Sequence, residues 1–118
     1  MPREFRMLTP APIDLEAIAR AAATVDATLG VRGTAHGQVI QLVAGDDETI
    51  LSIAASRRVD VPDDIARIAP SLSGAPGLGE APWWSEAFAP WTPGGERGAR
   101  VVAELVRAAG GIWERSDT

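Results

Sequence analysis

Two stretches of the chain carry apolar residues at helical spacing. Over 14–29, Leu15, Ile18, Ala19, Ala22, Val25 and Leu29 form one stripe, the repeat of a helix that buries a single face. Asp14 stands at the N-cap position, and Ile13 before it can staple to Ile18. Gly30 stands where a left-handed residue would end the helix. Over 95–109, Ala99, Val102, Val106 and Ala109 form a second stripe, widened by Val101, Leu105 and Ala108 and stopped by Gly110-Gly111.

Elsewhere the pattern shortens to the two-residue alternation of strands. Residues 3–8 read as a first strand. Residues 35–44 and 48–56 read as a β-hairpin, rich in Val, Ile and Thr, around the turn Gly45-Asp46-Asp47. In its second strand Leu51, Ile53 and Ala55 alternate with Ser52 and Ser56, so one face is predicted buried and the other partly wet. Asp60 caps a short helix with Ile65 and Ile68 turned inward, ending at Pro70. Residues 83–91, Trp-Trp-Ser-Glu-Ala-Phe-Ala-Pro-Trp, alternate as a strand, and 112–115 read as a last short one. Between them, 70–82 holds three Pro, three Gly and two Ser and reads as a long loop.

The expected order is therefore β-α-β-β-α-β-α-β in a single α+β domain spanning 1–118. Two long helices would cover one face of a mainly antiparallel sheet of four or five strands, because an amphipathic helix needs an apolar layer beneath it. A ferredoxin-like β-α-β-β-α-β plan with an extra α-β unit is one way to thread it.

Composition narrows the chemistry more than it names a function. The 118 residues carry a net charge of −5, and all eleven cations are Arg, with only Arg57 and Arg58 adjacent. No basic face of the kind that binds nucleic acid is visible. The absence of Lys removes Schiff-base and P-loop chemistry, and the absence of Cys removes disulfides and Cys-ligated zinc. Arg without Lys, with abundant Ala, Gly and Pro, fits a GC-rich, most simply bacterial, coding sequence. No secretory leader or membrane span is apparent, so a cytoplasmic location is expected.

No catalytic set stands out, and no cofactor is implied. His36 is the one histidine and has no nucleophile motif to serve, so a structural role is the simpler reading. Asp46, Asp47 and Glu48, with Asp60, Asp63 and Asp64, offer hard oxygen ligands. Their spacing matches no EF-hand, and a solvated turn and a helix cap account for them without a metal. Thr92-Pro-Gly-Gly-Glu-Arg-Gly is the best anion-binding candidate. Gly94 and Gly95 would bare backbone N–H groups at a helix start, and Arg97 would add a donor fork. A turn feeding a helix, with Pro93 near its first position, explains the same residues.

The tryptophans carry the main functional expectation. Trp83, Trp84 and Trp91 fall within nine positions, with Phe88 among them. Adjacent residues on a strand point to opposite faces, so helices on one face alone leave Trp83 or Trp84 on the other. Core filling is the plain reading. A partner surface formed by Trp83, Trp84, Phe88 and Trp91 is the sharper one, since exposed indoles anchor interfaces. The expected function is thus a small non-catalytic interaction module of adaptor, chaperone or inhibitor type, with a second copy of the chain as the simplest partner. The alternative is a small-molecule-binding or enzymatic domain. Its pocket would lie between sheet and helices, walled by Trp84, Phe88 and Trp113, with His36, Glu86 or Arg97 as polar groups.

Overall fold

A computed structural model describes residues 2–60, 63–73 and 82–115. Its strands are β1 (Arg3–Thr9), β2 (Gly30–Thr34), β3 (Val39–Val43), β4 (Thr49–Ala54), β5 (Arg57–Arg58), β6 (Trp83–Ala89) and β7 (Ile112–Arg115). Its helices are α1 (Leu15–Val25), α2 (Asp63–Ile68) and α3 (Pro93–Ala109), with short 3-10 turns at Ala35–Gly37 and Pro70–Leu72. Among the described residues these strands form one antiparallel sheet of order β2-β3-β4-β6-β1-β7, with β5 also paired to β6. The fold is α+β, as the two periodicities predict.

Seven strands replace the expected four or five. β2 was not anticipated, because Gly30, Arg32 and Gly33 are exposed and give an edge strand no apolar alternation. The first hairpin strand is correspondingly shorter than 35–44. Residues 35–37 wind into a turn in which His36 and Gly37 take positive φ, 57° and 85°. β5 follows a bulge: residues 54–56 lie opposite only 85–86 of β6, between the pairs Ile53–Ala87 and Arg57–Trp84.

α1 begins as the sequence predicts, with the Asp14 carboxylate accepting from the Ala17 N–H at 2.8 Å. It ends at Val25 rather than Leu29. Asp26 takes an extended conformation and accepts hydrogen bonds from the Thr28 N–H and hydroxyl, a local turn that competes with another helical residue. Gly30 therefore opens β2 instead of closing α1. α3 is capped at both ends: Thr92 Oγ1 accepts from the Gly95 N–H at 3.2 Å, and Gly110 closes the helix with φ 73°. The expected Asp60 cap of α2 adjoins residues 61–62, and the expected 70–82 loop includes 74–81; both stretches lie outside the described residues.

α1 and α3 bury Ile18, Ala22, Val101, Val102, Leu105 and Val106 against Phe5, Met7, Leu42, Leu51, Ile53, Ala87 and Ala89 of the sheet. A register shift at Leu42/Val43 brings Ile50 into this core beside Leu51. α3 crosses β4 closely, since a Cβ on Gly98 would overlap the Ile50 carbonyl oxygen. On the other face, among the described residues, α2 and the 70–72 turn cover one end, where Leu8, Ile65, Ala69, Leu72 and Trp84 make a second, smaller core. Among the described residues no helix is long and apolar enough to cross a membrane.

Candidate functional site

β6 distributes the aromatic residues. Its alternation puts Trp84, Glu86 and Phe88 on the face away from α1 and α3, and Ser85, Ala87 and Ala89 toward them. Ser85 is buried and shares a 2.7 Å hydrogen bond with Ser56, whose Oγ also accepts from the Ile13 N–H at 2.9 Å. Trp84 is 9% exposed, covered by the small core, and its Nε1 donates to Glu86 Oε1 at 3.0 Å. Trp83 is half-buried at the strand end opposite Thr9 and Arg58. Phe88 is half-buried between Glu4 and Ser52.

Trp91 lies past the strand and is 54% exposed. The guanidinium of Arg3 sits 4.5 Å from its ring centre and that of Arg115 5.8 Å, both within cation–π range. Arg3 is itself buried, ion-paired to Glu96 at 2.6 Å. The four aromatic residues singled out from the sequence thus occupy separate places: a covered indole, an open sheet face, a strand end and an arginine-backed corner.

Gly94, Gly95 and Arg97 all have partners within the chain. A Cβ on Gly94 would overlap Glu48 Oε1, and one on Gly95 would overlap the Pro90 carbonyl oxygen. Glu48 Oε2 accepts from the Thr92 hydroxyl at 3.2 Å, so a carboxylate of the chain itself lies at the start of α3, where a helix favours negative charge. Arg97 reaches across to α1 and donates to Asp26 Oδ2 at 2.8 Å. The Thr28 hydroxyl and N–H, then Arg97, hold the Asp26 carboxyl down at a pKa of about 2. The glycines serve close packing and the arginine ties two helices.

His36 is exposed in its turn. The acids at 46–48 shape the β3–β4 turn, with Asp46 Oδ1 accepting from the Glu48 N–H at 3.2 Å and Asp47 at φ 63°. Among the described residues no three His, Cys, Asp or Glu side chains are grouped to hold a metal.

A groove of about 470 Å³ lies on the face away from the long helices, between α2 and β5–β6. A smaller concavity of about 310 Å³ lies between α1 and the sheet, lined by Leu15, Ile18, Ile40 and Ile53, and holds none of the expected pocket residues. Of the residues expected around a pocket between sheet and helices, Trp84 and Glu86 line the larger groove on the other face and Phe88 does not. Trp113 instead packs near Phe5 on the helix-covered side, ring centres 5.8 Å apart, and Arg97 and His36 lie elsewhere. Sequence reading missed Arg57, Asp64, Ile65 and Ile68 as lining residues. Ile65 and Ile68, both expected to turn inward, share a helical face at i, i+3, but Ile65 is buried and Ile68 is exposed at the groove's rim.

Beyond the groove, the same face of the sheet carries a row that crosses five strands: Arg32, Gln41, Ser52, Phe88 and Glu4. Arg32 Nε donates to Gln41 Oε1 at 2.9 Å and Gln41 Nε2 to Ser52 Oγ at 3.5 Å. No family model, curated protein or solved structure matches this chain.

Proposed function

We propose that the chain is a non-catalytic protein-interaction domain that pairs with a second copy of itself through the open face of its sheet. The observation that carries this reading is the Arg32–Gln41–Ser52–Phe88–Glu4 row, which lies opposite the face packed by α1 and α3. We read the order β7-β1-β6-β4 as a ferredoxin-like split β-α-β arrangement continued at its edge by the β2–β3 hairpin. Such a plan puts its longer helices on one side and leaves the other for a partner.

The row is self-complementary. Neighbouring strands lie about 4.8 Å apart, so Arg32 and Glu4 stand about 19 Å apart at its ends, with Ser52 at the centre. A twofold axis along β4 at Ser52 lays Arg32 over the partner copy's Glu4, and Gln41 over its Phe88. It does so twice, as an isologous interface requires. Two facing sheets pack about 10 Å apart, a gap that Arg and Glu side chains can span. The charges set register and steer encounter, while Phe88, Val39 and Val43 supply half-buried apolar area on or beside the row.

Light scattering coupled to size exclusion, run as a concentration series into the high micromolar range, tests this. The expected mass is that of two chains. Arg32→Glu or Glu4→Arg alone is expected to give the monomer, and the two together to restore the dimer. A monomer at every concentration, or a dimer indifferent to both single reversals, overturns the reading.

A further inference from the structure

The geometry points to the groove between α2 and β5–β6 as a binding site for a small organic cation, an ammonium or guanidinium on an apolar body. This stands apart from the dimer reading, because the groove lies at the α2 end of the face and shares no lining residue with the Arg32–Glu4 row.

Three observations carry it. First, the groove's volume of about 470 Å³ falls within the ~300–1,000 Å³ typical of small-molecule sites. Second, its walls are apolar and in part left open: Ile65 and Trp84 belong to the small core, while Ile68 at the rim is 51% exposed.

Third, its charges are unequal in kind. Glu86 is held in place by the Trp84 Nε1 hydrogen bond, and the 3.9 Å approach of Arg57 falls on the same oxygen, Oε1. Neither contact uses Oε2. Asp60 and Asp64 also line the groove, each already paired with an arginine, Asp60 with Arg58 at 3.7 Å and Asp64 with Arg67 at 3.0 Å. Consecutive strand positions aim Arg57 and Arg58 to opposite faces. Near Trp84 its sheet face carries Arg6 and Arg57. Arg6, opposite Glu86 on β1, is engaged by the Ile68 carbonyl and Glu114, while Arg57 has a side chain 76% exposed and is only loosely tied to Glu86. A bound cation finds in Glu86 an acceptor oriented by Trp84, with its apolar body against Ile65, Ile68 and Trp84. The charge-assisted hydrogen bond to Glu86 would be the strongest single contact.

The test is a titration of the full chain followed by ¹H–¹⁵N correlation spectra, reading the Trp84 indole N–H, assigned by its loss in Trp84→Phe. The probes are phenethylammonium, 3-phenylpropionate and 2-phenylethanol, one aromatic body with three charge states. The expected result is a saturable shift with the cation only, weakened about tenfold in Glu86→Gln. Arg57→Gln, which removes the cation paired with Glu86, is expected to tighten cation binding. Absence of a saturable shift with phenethylammonium, an equal response to 3-phenylpropionate, or unchanged affinity in a folded Glu86→Gln would overturn the proposal. Should Glu86→Gln lose its dispersed spectrum, Arg57→Gln decides: unchanged or weaker cation binding overturns it.

Discussion

Asp26 shows how much one half-buried carboxylate can organise. It ends α1, closes the following turn through Thr28, and ties α1 to α3 through Arg97. Its pKa of about 2 lies below the ordinary 3.8, so its contribution to stability is present above that ordinary value and is lost as pH falls through about 2. Thermal melts of wild type taken down through this window should show a fall in midpoint that Asp26→Asn lacks, and an NMR titration should place the Asp26 midpoint near 2. Gly98 makes the opposite kind of point. Helix propensity alone predicts that Gly98→Ala stabilises α3 by about 1 kcal/mol. The close crossing over the Ile50 carbonyl reverses the sign, and a net loss of about 2 kcal/mol, measured by urea denaturation, is expected.

At the scale of elements, periodicity did most of the work where an element buries one face. α1, α3, β4 and β6 were legible because Ile18 and Ala22, Val102 and Val106, Leu51 and Ile53, or Ala87 and Ala89 repeat at the spacing of the face they bury. β2 was not, because an exposed edge strand with two glycines has no buried side to encode. β5 was not, because it is two residues long and exists only by pairing with Trp83 and Trp84 across a bulge. α2 was legible as a helix, but nothing local said that it would lie on the far face of the sheet. Its hold there rests on Ile65 in the small core. Ile65→Ala should therefore cost about 2 kcal/mol, at the low end for a buried isoleucine, and should shift Trp emission to the red as Trp84 gains water.

For the molecule as a whole, the consequence is a sheet with two unlike faces, one closed by α1 and α3 and one shared between a small core, a groove and an open polar-apolar row. If that row joins two copies through Arg32 and Glu4, association should weaken as salt rises, since pairs near a rim are screened over about 10 Å at 0.1 M. The sequence by itself determined which face-burying segments wind or extend, which of their sides are oily, and where Asp14 and Gly110 start or stop them. Those are local matters, settled by 3.6- and 2-residue periods and by backbone groups within a turn. Only the tertiary structure decided that Glu48 would take the place against Gly94, that Arg97 would turn to Asp26, and that Arg32 and Glu4 would end one row. Each depends on strand order, bulges and register, which are fixed by packing between residues far apart in the chain and leave no mark on their neighbours in sequence.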